Sequence, residues 1–349
     1  MDKPIIIAGP CSAESREQLR QCADALKALP HVSMIRAGVW KPRTRPGGFE
    51  GMGEPALGWM QEIQNEYGIP FCCEVARPEH VELCLRYGIE NVWLGARTTA
   101  NPFMVEELCA SLRGNSMRVM VKNPMHPDVR LWLGAIERLQ QCGVNVTAAI
   151  HRGFSMYDWH ANGKADSRGY RNDPLWEVPM ELRRLLPELP LLCDPSHIAG
   201  RSDLVPSVSQ NAMSLGFDGL MVEVHPSPSD ALTDAGQQLT PVQLASLLAV
   251  LPQPSTDSRL AMPALTALRT RIDELDHELI RLIAERMDIS RRMSAMKREV
   301  GMSVFQPQRW EAVLTDRLRQ AESLALDQAF VKELLEKIHG ESVRVQMES

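Results

Sequence analysis

The sequence predicts an α/β protein that consists of a TIM (β/α)8 barrel followed by an all-α domain of three helices. Eight short apolar runs alternate with helical runs over the first 250 residues, the composition changes near residue 252, and the remaining residues show a helical period alone. Eight β–α units in about 250 residues match the number and order of elements in a TIM barrel. A doubly wound open sheet is the rival architecture for the same alternation.

The predicted strands are continuous apolar runs, which are typical of parallel strands buried on both faces. They lie at 4–9, 33–39, 70–75, 91–96, 118–123, 145–151, 190–194 and 220–225. Amphipathic helices are predicted between them, for example over 16–29 and 78–87. The last helix, over 240–251, begins with a Thr-Pro pair, which favours a helix start.

A segment rich in Pro and Ser separates the two predicted domains. We assign 1–251 to the barrel, 252–262 to a linker and 263–349 to the helical domain. Leu and Ile recur there at spacings of three and four residues. The predicted helices cover 263–300, about 307–323 and 327–346. Three helices, one of them about 57 Å long, cannot bury their own apolar stripe, so the pattern predicts a homodimer through this domain.

The overall composition is that of a globular protein, with 44% hydrophobic residues, 23% charged residues and a formal net charge of −6. The mild acidity argues against non-specific nucleic-acid binding, and the apolar runs are too short to predict a membrane span. The first apolar run is also too short for a secretory signal peptide. Eight cysteines without paired spacing are expected to be free and mostly buried, in a cytoplasmic protein.

Polar residues lie at the C-terminal ends of all eight predicted strands, which is the end of a TIM barrel where active sites form. A thiol, an imidazole and two carboxylates are among them, namely Cys11, His197, Glu223 and Asp234. One thiolate with nitrogen and oxygen donors suits one divalent ion per barrel, such as Mn, Co, Fe or Zn, better than Mg or Ca. His225 is a rival ligand, because two residues after Glu223 on a strand it would share the same face.

Six cations lie at the same strand ends, namely Arg36, Lys41, Arg43, Arg97, Lys122 and Arg152. Arg side chains bind carboxylate and phosphate oxygens through two parallel hydrogen bonds. One metal site does not offer enough negative charge to balance six cations. The set therefore predicts that the barrel binds one or two phosphorylated or carboxylated substrates.

These motifs resemble those of the 3-deoxy-D-arabino-heptulosonate 7-phosphate (DAHP) synthase family, in its type I beta form. The motifs are Gly-Pro-Cys at 9–11, Arg36 followed by Lys-Pro-Arg-Thr at 41–44, Gly-Ala-Arg at 95–97, Asp-Pro-Ser-His at 194–197 and Val-Glu-Val-His at 222–225. The resemblance implies that phosphoenolpyruvate condenses with erythrose 4-phosphate and that phosphate is released, at the entry to the shikimate pathway and aromatic amino acid biosynthesis.

The resemblance also implies a role for each strand-end residue. Cys11, His197, Glu223 and Asp234 would hold the metal. Arg36, Lys41, Arg97, Lys122 and Arg152 would bind phosphoenolpyruvate, and Arg43 and Thr44 would bind erythrose 4-phosphate. Lys41 and Glu74 are the expected catalytic residues, Glu74 by positioning the attacking water.

Two other enzyme classes are alternatives for the barrel. The sister enzymes that make the eight-carbon sugar acid from arabinose 5-phosphate carry Lys-Ala-Asn-Arg where this chain has Lys-Pro-Arg at 41–43. That difference favours the four-carbon sugar here. A class II aldolase is the weaker alternative.

The helical domain resembles an all-helical chorismate mutase. The matching signals are ALRTRIDELD at 267–276, LIAER at 282–286, Lys297, Arg309 and the pair Ser342 and Gln346. The resemblance implies that chorismate rearranges to prephenate, with Arg269, Arg286, Lys297, Arg309, Ser342 and Gln346 as the binding residues. Lys297 and Gln346 would be catalytic at the ether oxygen. Arg269 lies roughly 100° around the helix from Arg286, so it cannot easily serve the same site. The resemblance implies that it reaches the site of the partner chain, which this offset permits.

Two positions depart from that family's pattern. Gln306 stands in place of an acid, and Trp310 stands in place of a Glu that would contact the substrate hydroxyl. A second hypothesis is therefore a non-catalytic mutase-like domain that serves regulation or dimerisation. Because the chain joins a pathway-entry enzyme to a later one, feedback inhibition of the synthase by prephenate or chorismate is expected.

Overall fold

The computed structural model describes residues 4–29, 31–41, 47–155, 169–251 and 258–348. The chain divides into two compact units between Pro254 and Ser255, within the segment that the sequence predicts as a linker.

Eight parallel strands of the first unit close into a barrel in sequence order, and β1 pairs with β8. They are β1 Ile5–Gly9, β2 Val32–Arg36, β3 Phe71–Val75, β4 Asn91–Leu94, β5 Arg118–Lys122, β6 Asn145–His151, β7 Leu191–Cys193 and β8 Gly219–Glu223. The predicted TIM barrel is confirmed and the open sheet is wrong. Strand β2 ends three residues before its predicted end, because Ala37 and Val39 are buried without belonging to the strand.

Helices follow the strands, and their buried faces pack on the outside of the barrel in one large core. They are α1 Arg16–Lys27, α2 Glu54–Tyr67, α3 Pro78–Arg86, α4 Ala96–Thr99, α5 Pro102–Leu112, α6 Val129–Gln141, α7 Glu177–Leu185, α8 Pro195–Ala199, α9 Val205–Ser214 and α10 Pro241–Val250. A second, smaller cluster of buried side chains, which includes Trp93 and Met120, fills the inside of the barrel. All eight cysteines are free, and all except Cys142 are buried.

Gly219 allows β1 and β8 to approach closely, because a Cβ at this position would lie 1.9 Å from the carbonyl oxygen of Ile5. The change Gly219→Ala is expected to destabilise the barrel by about 1–3 kcal/mol, since backbone atoms of both strands must move apart. Denaturant unfolding measures this effect. The matched control is Gly134→Ala inside α6, where a Cβ meets nothing within 4 Å; it should gain up to about 1 kcal/mol of stability. Equal unfolding midpoints for both variants would contradict the strand-packing argument.

The second unit consists of α11 Ser258–Glu299, α12 Pro307–Ser323 and α13 Gln328–Glu348. Helix α11 begins five residues earlier than predicted, so the part of the predicted linker at 258–262 is helical, and 252–257 lie outside the described residues. The reason is that the segment before Pro263 contains Arg, Leu, Ala and Met, which have high helix propensity. Among the described helices, none combines the length and the apolar character needed to span a membrane.

Candidate active sites

The alternation of side chains along the strands places the polar residues of the barrel at its mouth. The buried cluster inside the barrel includes Cys72, Met120, Ile150, Leu192 and Met221. A residue two places further along an extended strand points to the same side. Those residues are Glu74, Lys122, Arg152, Asp194 and Glu223. The predicted polar residues therefore lie directly above the apolar filling, where the strands end.

Three predicted metal ligands come together at this mouth. One donor atom each from Cys11, Glu223 and Asp234 lie within 4.8 Å of one another. Asp234 has a left-handed backbone, with φ at 46°, a conformation that Asp tolerates better than most residues. The thiol of Cys11 donates to Asp234 Oδ2 at 3.4 Å. A buried sulfur and two carboxylates form a donor set that fits a divalent transition metal.

Two neighbouring glutamines, which the sequence analysis missed, fix these ligands. Gln237 Nε2 donates to Glu223 Oε2 at 2.6 Å, and Gln238 Oε1 accepts a hydrogen bond from the backbone N–H of Cys11 at 2.9 Å. Arg171 Nη1 donates to Asp234 Oδ1 at 3.2 Å and to Gln237 Oε1 at 2.8 Å. In the sequence, Gln237 and Gln238 are marked by nothing except their position directly after the loop that carries Asp234.

His197 lies beside the three-donor cluster and not within it. It belongs to α8, where the Asp194 cap accepts from its backbone N–H at 3.1 Å. Its Nδ1 lies 2.9 Å from Asp194 Oδ2 and 3.9 Å from Glu223 Oε1. A carboxylate on Nδ1 orients an imidazole so that Nε2 can bind a metal. His197 as a ligand stays a prediction.

The rival ligand His225 faces other groups. Its Nδ1 accepts from the backbone N–H of Ser227 at 3.0 Å, and its Nε2 lies 3.7 Å from Glu14 Oε2. Strand β8 ends at Glu223, so the alternation that made His225 a rival does not extend to it.

Arg36 is a fully buried guanidinium at the centre of the mouth, with 1% of its surface exposed. Its Cζ lies 5.1 Å from the centroid of the Trp93 ring, and its Nη2 lies 3.1 Å from Glu223 Oε1. Within the described ranges, its Nε and Nη1 have no hydrogen-bond partner. Buried donors are almost always paired, so two unpaired donors predict an anionic ligand here.

Lys122 and Asp194 form a buried ion pair, with 2.6 Å between Nζ and Oδ2. Burial alone would raise the pKa of Asp194, but the charges of His197 and Lys122 outweigh it and hold this pKa well below its usual range. The Asp194 carboxylate is therefore ionised, and it orients Lys122 and His197 together.

Lys41 contacts the candidate metal cluster, because its Nζ donates to Cys11 Sγ at 3.0 Å. Gly38 makes room for it: a Cβ there would lie 2.7 Å from Lys41 Cε. Burial, followed by the charge of Glu223, raises the pKa of the Cys11 thiol to about 12, and Lys41 offsets only part of this rise. The thiol is therefore protonated until a cation binds to it.

Arg152 directly follows β6, and a loop residue holds its side chain. Its Nη1 donates to Asn172 Oδ1 at 3.1 Å, and Asn172 Nδ2 donates to the carbonyl of His197 at 2.6 Å. Burial first, together with the charges of Arg171 and Arg97, lowers the pKa of Arg152 to about 10. Arg152 thus stays cationic at neutral pH. Asn172 joins it to His197, and sequence reasoning missed Asn172 because it lies in a loop without periodicity.

Glu74 is half-buried, and its Oε2 accepts from the indole N–H of Trp93 at 3.1 Å. Gly95 lies against its carboxylate, since a Cβ there would be 2.3 Å from Oε1. Arg97, at the start of α4, is exposed. The predicted sugar-phosphate residues, Arg43 and Thr44, lie outside the described residues.

In the second unit, α11 and α13 hold four of the predicted mutase residues in two hydrogen-bonded pairs. Arg286 Nη1 donates to the hydroxyl of Ser342. Lys297 Nζ donates to Gln346 Oε1 at 3.1 Å and to the carbonyl of Val304 at 2.7 Å. Both cations are thereby fixed on one side of α13.

Arg269 and Arg309 are exposed. Arg309, with Gln306, lines an open depression of about 510 Å³ at the start of α12. That Arg269 and Arg309 bind substrate stays a prediction.

Comparisons with known proteins identify both units. Residues 1–258 match the DAHP synthetase I family. The chain belongs to this family. Residues 268–347 match Chorismate mutase type II. Both resemblances predicted from the sequence are confirmed, and they join a transferase family to an isomerase family in one chain.

Two relatives and one solved structure show how far the barrel resembles known members. A phospho-2-dehydro-3-deoxyheptonate aldolase of Thermotoga maritima is 32% identical over 234 residues, which make up 67% of this chain and 64% of that protein. The crystal structure of DAHP synthase from Thermotoga maritima matches with a TM-score of 0.61 and 29% identity, over 74% of this chain and 70% of that chain. A 2-dehydro-3-deoxyphosphooctonate aldolase of Helicobacter acinonychis is 24% identical over 264 residues, which cover 70% of this chain and 93% of that protein. The chain thus spans slightly less than two thirds of the first relative's length.

Proposed function

We propose that this protein is a bifunctional enzyme: its barrel makes DAHP from phosphoenolpyruvate and erythrose 4-phosphate, and its helical domain converts chorismate to prephenate. The observation that carries the proposal for the barrel is the close approach of Cys11, Glu223 and Asp234 beside the buried guanidinium of Arg36, two of whose donors have no partner among the described residues. A metal site next to an anion site suits the joining of an aldehyde to an anionic enol phosphate.

The residues of the barrel mouth divide the work of this reaction. Arg36, Lys122 and Arg152 bind the carboxylate and phosphate of phosphoenolpyruvate, and because they are already fixed, little reorganisation is needed during the reaction. A divalent metal ion held by Cys11, Glu223 and Asp234, with His197 as a further predicted ligand, would supply Lewis-acid chemistry for the aldehyde. Glu74, held by Trp93, positions the water that adds to the former enol carbon before phosphate leaves. Arg43 and Thr44 bind the sugar phosphate, as the family resemblance implies.

A direct assay tests the barrel activity. The protein is incubated with phosphoenolpyruvate and either erythrose 4-phosphate or arabinose 5-phosphate, with Mn or Co and then after removal of metal with a chelator. We expect turnover of the four-carbon sugar that a chelator abolishes and metal restores. Preference for arabinose 5-phosphate would favour the sister enzyme, and unchanged turnover after full metal removal would refute the Cys11 metal site.

Gln237 tests whether the metal site depends on its supporting hydrogen bonds. In Gln237→Ala, Glu223 Oε2 loses a hydrogen bond of 2.6 Å, so metal affinity is expected to fall by about 10–100-fold. The synthase rate should recover at saturating metal, because the side chain of Gln237 bonds to Glu223 and Arg171 and is given no role in substrate binding. Metal titrations of activity measure both effects. The control Gln21→Ala removes an exposed amide that bonds to Glu17 on α1, and an affinity equal in both variants would contradict this role.

The helical site is suited to a rearrangement within a dianion. Chorismate needs no acid, base or nucleophile, only a grip on two carboxylates and a donor at the ether oxygen as its bond breaks. Arg286 supplies a cation for a carboxylate, and Lys297 and Gln346 supply donors for the ether oxygen. Conversion of chorismate to prephenate, followed by absorbance, tests this activity. Chorismate that binds without conversion would support the non-catalytic alternative.

The helical domain is proposed to form a homodimer. Apolar side chains along α11 are exposed in the described chain, including Leu268 at 64%, Ile272 at 57% and Leu275 at 48%. A second copy would cover this stripe and would let Arg269 serve the partner's site. Light scattering should give about twice the chain mass of 39.1 kDa, and a monomer at micromolar concentration would contradict the proposal.

Prephenate is proposed to inhibit the synthase through the helical domain. This regulation requires that prephenate binds two states of the protein with different affinity. The synthase rate is measured against added prephenate, with chorismate as a second ligand. A flat response to both would remove this proposal and leave the two activities untouched.

A further inference from the structure

One face of α13 carries a histidine that neither predicted activity uses. His339 lies three residues before Ser342 and seven before Gln346, and this spacing places all three on the same side of a helix. Ser342 bonds to Arg286, and Gln346 bonds to Lys297. His339 therefore lies on the same face of α13 as the two residues that bond to Arg286 and Lys297, the cations proposed to bind substrate.

The imidazole of His339 is fixed by aromatic contacts. It stacks on Trp310 of α12 with 4.0 Å between ring centroids and 10° between planes, and Phe305 lies 5.9 Å away. Its Nε2 is buried and, in the part of the chain that the structure describes, has no hydrogen-bond partner. A buried nitrogen without a partner is costly, so this atom is expected to be paired when the site is filled.

The charges around His339 decide which group it can bind. Burial first, and then the charges of Arg286 and Lys297, lowers the pKa of His339, so the ring is neutral at neutral pH. The cations of the site match the two substrate carboxylates better than a neutral ring does. The polar group of chorismate that is left for His339 is the uncharged ring hydroxyl.

We propose that His339 Nε2 forms a hydrogen bond with the ring hydroxyl of the substrate, and that Trp310 is a positioning residue that fixes the imidazole for this contact. This assignment rests on the proposed mutase function. It gives the aromatic side chain at 310 a role in the binding of substrate.

A comparison of two substrates tests the contact. The wild-type protein and its variants are each given chorismate and an analogue that lacks the ring hydroxyl, and the ratio of their kcat/KM values is measured. The wild-type ratio should favour chorismate by about 10–100-fold, which is the effect of one buried hydrogen bond. In His339→Leu and in His339→Asn, whose amide is too short to reach the Nε2 position, the ratio should fall close to one. His339→Gln, whose amide can reach that position, should keep most of the preference.

The controls separate this assignment from the proposed function. His277→Leu changes an exposed histidine on α11 and should leave the ratio unchanged. Circular dichroism and the synthase rate identify any variant that fails to fold, and the Asn and Gln variants then decide. A wild-type ratio near one, or a ratio that the folded Leu and Asn variants retain, overturns the contact while chorismate conversion still stands. A wild-type protein that neither binds nor converts chorismate overturns the mutase function, and the contact with it.

Discussion

Replacing Cys11 with alanine is expected to lower the rate of DAHP synthesis by about 1000-fold or more, because the proposed metal site would lose one of its ligands. The structure gives two reasons for so large an effect. The sulfur is one of three donors that lie within 4.8 Å of one another, and it also accepts from Lys41 at 3.0 Å. Without the sulfur, Lys41 can pair with the two remaining carboxylates and occupy the place of the cation.

Steady-state rates and metal content of the purified variant measure this prediction. Loss of rate should accompany loss of bound metal, and phosphoenolpyruvate should still bind through the cations of the mouth. The matched control is Cys22→Ala, which removes another fully buried thiol, one that contacts the carbonyl of Val224 on the outer side of the barrel. A Cys11 variant that retains both metal and near wild-type turnover would show that the sulfur is not a ligand.

Sequence reasoning identified the barrel and the end of the barrel at which the candidate site lies, because both depend on local patterns. Buried parallel strands are visible as apolar runs, and the polar residues at the C-terminal end of each run mark a strand end. Arg36 and Lys122 are found in this way. The ion pairs that they form are not, since Lys122 pairs with Asp194, 72 positions further on, and only closure of the barrel brings these residues together.

The residues that the sequence analysis missed act through other side chains and lie in loops. Arg171, Asn172 and Gln237 contact Asp234, Arg152 and Glu223 respectively. Neither the period of a strand nor that of a helix marks them, so no local signal separates them from other polar loop residues. His339 is an intermediate case. Its spacing to Ser342 is visible in the sequence, whereas its stacking on Trp310 depends on how α12 packs on α13.

Replacing Lys297 with methionine is expected to lower kcat/KM for chorismate conversion by about 100–1000-fold, which is typical for loss of one fixed donor to a developing charge. Val304 and Gln346 hold the Lys297 ammonium at 2.7 and 3.1 Å, so it is oriented before substrate arrives. Methionine has a similar length and keeps the packing, so the change removes the charge with little effect on α11. Because the ether oxygen gains charge in the transition state, kcat should fall more than substrate affinity.

Circular dichroism of the same variant is the control for folding, and its synthase rate should stay at the wild-type value in the absence of prephenate. Lys332→Met is the matched substitution, because Lys332 is exposed on α13 and its Nζ makes one long ion pair, 3.9 Å from Glu336 Oε1. Chorismate conversion by this variant should equal that of wild type. Absorbance assays of chorismate loss compare all three proteins. If Lys297→Met converts chorismate as fast as wild type, the donor at the ether oxygen is another group, whereas a wild-type protein that binds chorismate without converting it marks the helical domain as a sensor.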